Sequence, residues 1–125
     1  MYYFFILLNG CQKNELEPQV VITDLNPSNE NVLTAGQVVD LDVTAEVRNT
    51  NEEGDLSLVI QGSDGSSLGL NGPFPISRNV PHTFHATFKV PAVASVVIFT
   101  PYLRKGKSES SVLDRRVYRA IGELK

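Results

Sequence analysis

The chain has no tryptophan, one methionine, one cysteine and two histidines in 125 residues. A single cysteine, Cys11, excludes an internal disulfide framework and any cysteine-based zinc cluster. The histidines, His82 and His85, are three apart. On a strand they point to opposite faces and cannot share a metal, so no metal site is expected, and nothing calls for a cofactor. The first apolar run, Met1 to Leu8, would span about 12 Å as a helix, well short of the ~20 residues a bilayer crossing needs. Between residues 19 and 110 no helical spacing of apolar residues occurs, which excludes βαβ architectures. Basic residues are outnumbered 11 to 14 and the net charge is −3, which argues against general nucleic-acid binding.

What is there is the material of one globular domain, with 42% apolar and 20% charged residues. Its cleanest signal is Gln37 to Asn49. Val39, Leu41, Val43, Ala45 and Val47 alternate with Asp40, Asp42, Thr44, Glu46 and Arg48. That is a strand with one wet face, hence part of an antiparallel sheet. Gln19 to Asp24 predicts a first strand before the turn Asn26-Pro27-Ser28-Asn29. Leu56, Leu58 and Ile60 predict a return strand. Gly62 to Asn79, rich in Gly, Ser, Asn and Pro, predicts a long loop with tight turns at Asp64-Gly65 and Asn71-Gly72. His82 to Val90 alternates again, with His85 on the polar face. Val93 to Phe99 is nearly all apolar, as a strand buried on both faces would be. Ser111 to Ile121 suits either a last strand or a short C-terminal helix capped by Ser111 and Asp114. The fold class expected is all-β, an antiparallel β-sandwich of about seven strands over residues 19–125.

Several patterns imitate chemistry. Gly65-Ser66-Ser67-Leu68-Gly69 matches G-x-S-x-G, but that motif needs a strand-turn-helix in an α/β sheet, so a flexible loop is expected. Gly106-Lys107-Ser108 imitates the end of a phosphate-binding loop, yet Pro101 stands where its first glycine should be. Glu52, Glu53 and Asp55 would hold calcium with Asp64 only if their loops converged, and neither loop matches a dedicated calcium site. Asp40, Asp42 and Glu46 share a face and could do acid–base work on a sugar; on an open sheet they are expected as wet surface. Charge is segregated. Residues 101–125 carry seven basic and three acidic residues, net +4; residues 1–100 carry four and eleven, net −7. Arg104, Lys105, Lys107, Arg115, Arg116 and Arg119 are therefore the partner-binding candidates, facing an anionic glycan, lipid headgroups or an acidic protein. The plainer alternative is a charged edge that discourages aggregation.

Two resemblances follow from quoted residues. Leu8-Asn9-Gly10-Cys11, behind an apolar run and before the polar Gln12-Lys13-Asn14-Glu15, resembles the lipobox of bacterial lipoproteins. The resemblance implies a signal peptide over 1–10, lipidation of Cys11, a tether over 11–18, and membrane anchoring in the cell envelope, facing periplasm or exterior. A charged start upstream of Met1 would complete that pattern; the alternative is a first strand, Tyr2 to Leu8, with a buried Cys11. Tyr102 to Ser110 resembles the last hairpin of immunoglobulin-like and fibronectin type III domains, and Val43 to Thr50 resembles the second strand of bacterial immunoglobulin-like modules. These imply binding, adhesion or spacing, and rarely catalysis. The expectation is a non-catalytic binding or assembly module using loops 62–79 and 104–110. The alternatives are a carbohydrate-binding or adhesion domain with Tyr102, Tyr118 and Phe74 as sugar platforms, and, with no supporting constellation, a small envelope hydrolase.

Overall fold

A computed structural model describes residues 18–48, 53–77, 79–104 and 113–122. The apolar run, Cys11, most of the tether, Glu52, Lys105, Lys107 and Ser111 lie outside the described residues. Within them the chain forms nine strands: β1 (Gln19–Asn26), β2 (Leu33–Thr34), β3 (Val38–Arg48), β4 (Gly54–Gly62), β5 (Ser67–Ile76), β6 (His82–Lys89), β7 (Ser95–Phe99), β8 (Tyr102–Arg104) and β9 (Arg115–Ile121). They make two sheets. Sheet A has the order β1-β3-β6. Sheet B has the order β2-β9-β7-β4-β5, with β8 also on β4.

The two sheets share one core. Period-two alternation sends Val39, Leu41, Val43, Ala45 and Val47 inward from β3, Leu56, Leu58 and Ile60 from β4, Phe84 and Phe88 from β6, and Val96 and Ile98 from β7. Tyr102 and Tyr118 are the largest fully buried side chains. A buried phenol needs a partner, and Tyr118 Oη donates to the Pro27 carbonyl at 2.6 Å. That bond fixes the crossing where the chain leaves sheet A after β1 and joins sheet B as β2.

The structure bears out the all-β class and corrects the details. Of the stretch read as either strand or helix, Arg115–Ile121 form a strand: Val96, Val97, Ile98 and Phe99 of β7 pair in register with Tyr118, Val117, Arg116 and Arg115, and that ladder outweighs the helical spacing of its apolar residues. Among the described residues the count is nine rather than about seven, because the predicted loop 62–79 holds a strand and the two- and three-residue pieces β2 and β8 pair separately. One pair, β2 with β9, is parallel rather than antiparallel, since β1 and β2 continue in one direction across the gap between the sheets.

The predicted loop 62–79 holds β5, ten residues paired along β4. Bulges hide it from a period-two reading. Leu68 packs on the core while Leu70, two residues on, is 71% exposed, and the register shifts between Ile60 and Gln61 on β4. Asn71-Gly72, read as a turn, lies within this strand. Gly72 has φ +105°, and a Cβ there would meet the Leu56 carbonyl at 3.0 Å, so glycine is required by both conformation and space. Pro73 and Pro75 are tolerated because β5 is an edge strand. Asp64-Gly65 is a turn as expected, closed by Gly65 N–H to the Gly62 carbonyl at 2.9 Å.

Candidate functional site

The outer face of sheet A is a polar ladder. Register places Asp40 opposite Thr87, Asp42 opposite His85 and Thr44 opposite Thr83. Thr87 Oγ1 donates to Asp40 Oδ1 at 2.9 Å, His85 Nδ1 contacts Asp42 Oδ1, and the Thr44 and Thr83 hydroxyls lie 2.8 Å apart. Arg48 Nε donates to Glu46 Oε2 at 2.9 Å. These are cross-strand and same-strand pairs that stabilise the sheet by a few tenths of a kcal/mol up to about 1 each. Asp40, Asp42, His85 and Thr87 line an open depression of about 330 Å³. Part of the acceptor capacity of both carboxylates is taken up inside the ladder.

The histidines fall on opposite sides of β6, as their spacing predicts. His85 is on the ladder. His82 is packed between Phe74 and Phe84, with ring centroids 4.8 and 4.7 Å away. Among the described residues no group of three His, Cys, Asp or Glu could hold a metal ion. Asp64 serves its own turn: Oδ1 accepts from Ser66 N at 3.0 Å and Ser66 Oγ at 2.7 Å. Those bonds, the hydroxyl first, hold its carboxyl below the ordinary 3.8. Ser67 of the G-x-S-x-G match opens β5, in a strand context that the nucleophile motif does not use.

The expected sugar platforms are not surface residues. Tyr102 and Tyr118 are 2% and 0% exposed, and Phe74 is half-buried against His82 and Phe84. The alternation along β8 and β9 points the two tyrosines inward.

The basic candidates separate into distinct environments. Arg116 is structural. Its guanidinium donates to Asp114 Oδ1 at 2.9 Å, to the Arg115 carbonyl at 2.9 Å and to the Ile22 carbonyl at 3.3 Å. Arg104 is half-buried, two residues from Tyr102 and on the same side of β8. Lys105 and Lys107 lie outside the described residues. Only Arg115 and Arg119 are brought together. Both are exposed on the outer face of sheet B, with Val117 between them, and neither guanidinium has an ion-pair partner among the described residues.

That outer face carries a feature the sequence did not disclose. Val59 stands opposite both Phe99 and Leu70, Val97 stands opposite Val117, and Phe99 stands opposite Arg115. The result is an apolar band across β5, β4, β7 and β9. Leu70 is 71%, Leu113 49% and Val117 36% exposed, and Val59, Val97 and Phe99 are half-buried. Val93 to Phe99 reads as doubly buried because both faces are apolar, but within β7 only Val96 and Ile98 are buried in the core. An open depression of about 380 Å³ sits in the band. Val97, Phe99, Leu113 and Arg115 line one part and Gln61 to Ser63 with Gly65 the other.

No known family model matches the chain, and no curated protein matches it in sequence.

Proposed function

We propose that this chain is an envelope lipoprotein, anchored through Cys11, whose immunoglobulin-like β-sandwich is a non-catalytic binding or assembly module. The single observation that carries the module reading is the apolar band on the outer face of sheet B. Contiguous apolar side chains left in water cost free energy that a partner recovers.

The immunoglobulin-like assignment rests on how the strands divide. β1, β3 and β6 share one sheet and β4, β7 and β9 the other, as strands A, B and E and strands C, F and G do in that fold. The anchor rests on Leu8-Asn9-Gly10-Cys11 and on the absence of any other cysteine. Two acyl chains on that thiol would give stable attachment where one would not.

Photo-crosslinking tests the module. A crosslinker placed at Val97 or Val117 in cells should trap a defined envelope protein, and one placed at Thr44 should not. Equal trapping from both faces, or a glycan-array signal with no protein adduct, would replace the assembly reading with the carbohydrate-binding one. For the anchor, metabolic acyl labelling of wild type should disappear in Cys11→Ala; equal labelling would remove the lipoprotein reading.

A further inference from the structure

We infer that the band around Phe99 receives an extended, acidic protein segment, its carboxylates meeting Arg115 and Arg119 and its apolar side chains meeting Val97, Phe99 and Val117. The inference rests on the binding-module reading and names its partner by chemistry.

Charge selects the sign. Among the described residues, Arg115 and Arg119 project from the outer face that joins exposed apolar side chains to guanidiniums without an ion-pair partner. The opposite face presents Asp40, Asp42 and Glu46, and residues 1–100 carry a net −7. An acidic partner is repelled there and drawn to β9, which sets orientation as well as affinity. Guanidinium forks also suit carboxylates in bidentate geometry.

Spacing selects the conformation. Along β9 the order is Arg115, Val117, Arg119, so the two charges stand roughly 13 Å apart with an apolar residue midway, at ~3.3 Å per residue. An extended segment of pattern acid-x-apolar-x-acid repeats that spacing on one face. On a helix, carboxylates three or four apart lie only about 5–6 Å apart, so a helical partner would need acids roughly seven or eight residues apart, where an extended one needs only the two-residue period of β9 itself. The depression beside Phe99, lined by Val97, Leu113 and Arg115, is placed to take one apolar side chain next to a carboxylate. A bilayer fits less well. Val59, Val97 and Phe99 are half-buried in a sheet and cannot insert, and two arginines contribute only about 1 kcal/mol each at an anionic surface.

The test uses the full chain and three synthetic peptides: ETVTETVTE, its charge reversal KTVTKTVTK, and the apolar-deleted ETSTETSTE. Expected are amide and methyl NMR shifts at Val97, Phe99 and Val117 with the first peptide. Binding should be about tenfold weaker to each of the others, the change that 1.4 kcal/mol produces. The R115E/R119E variant changes only exposed side chains; it should lose ETVTETVTE and gain KTVTKTVTK. Shifts confined to the Asp40–Thr87 ladder, indifference to charge reversal, no binding at all, or self-association through this face would overturn the proposal. So would vesicles of phosphatidylglycerol displacing the peptide from the same residues. Acyl labelling at Cys11 and crosslinking from Val97 report separately. If both succeed and the peptide fails, this inference falls and the anchored module stands.

Discussion

The carboxylate of Asp114 accepts the backbone N–H of Ile22 at 2.8 Å across the gap between the two sheets. Ile22 belongs to β1, an edge of sheet A, and Asp114 immediately precedes β9 of sheet B. Arg116 completes the contact by donating to the carbonyl of Ile22 and pairing with Asp114. Two side chains thus stand where a neighbouring strand would, and one stretch of open edge is closed without a strand.

Removing that carboxylate leaves a part-buried N–H unpaired. Asp114→Ala should cost about 1–3 kcal/mol, read as a lower urea midpoint at unchanged m-value. Asp114→Asn keeps an acceptor for Ile22 and should lose less. If Ala and Asn cost the same, the ion pair with Arg116 and not the bond to Ile22 is the stabilising part.

Tyr118 links the pH axis to the same edge. Burial pushes its phenol above the ordinary 10.0, so the neutral form is the one the fold accommodates. The unfolded chain ionises first on raising the pH. The contribution of Tyr118 to stability is therefore flat below about pH 10 and falls above it, by up to about 1.4 kcal/mol per pH unit for one proton. Tyr118→Phe should remove this alkaline loss while costing roughly 1 kcal/mol at neutral pH through the missing bond to Pro27. Urea titrations of both proteins at pH 7 and pH 11 would show it.

Gly54 lies against the ring of Tyr102. A Cβ there would meet Cζ and Oη at 2.5 Å and the Leu103 carbonyl at 2.6 Å. Backbone and a fully buried ring cannot both yield, so Gly54→Ala should destabilise by about 1–3 kcal/mol or more. Gly122, where an added Cβ meets nothing within 4 Å, is the matched control. Its alanine variant should melt within a degree or two of wild type.

Asp64 offers an acid-side counterpart. Its folded pKa is depressed by the two bonds from Ser66. Its contribution to the turn is present above the unfolded value of 3.8 and lost as the pH falls through the lower folded value. Carboxyl NMR titration should find Asp64 below 3.8, and Ser66→Ala should move it back upward. An unmoved midpoint would show that the hydroxyl is not the cause.

How much of this was legible depends on the distance over which each signal acts. β3 was plain because its alternation is local: Val39 to Val47 face the core whatever pairs beside them. β5 was not, because its pairing with β4 is a tertiary fact that overrides a composition of Gly, Ser, Asn and Pro. The opposite faces of His82 and His85 followed from spacing, but the contact of His85 with Asp42 spans 43 positions. Arg115, Arg116 and Arg119 formed one basic cluster in sequence. In the sandwich, parity puts Arg115 and Arg119 outside, while Arg116 is drawn to an acceptor 94 residues away. The apolar band is hidden in the sequence for a related reason. Alternation cannot say that Val97 and Phe99 face outward when Val96 and Ile98 are equally apolar.

The crossing from β1 to β2 has a mechanical consequence. Ile22 meets Asp114 and Arg116, Pro27 meets Tyr118, and Leu33 and Thr34 meet Ala120 and Ile121. The early segment and β9 therefore run side by side in the same direction. Tension between the two ends of the domain would pull these strands past one another and load the contacts together, rather than peel them apart singly. A domain pulled from its N-terminal side would resist as a shear joint, with Tyr118 as its middle rivet.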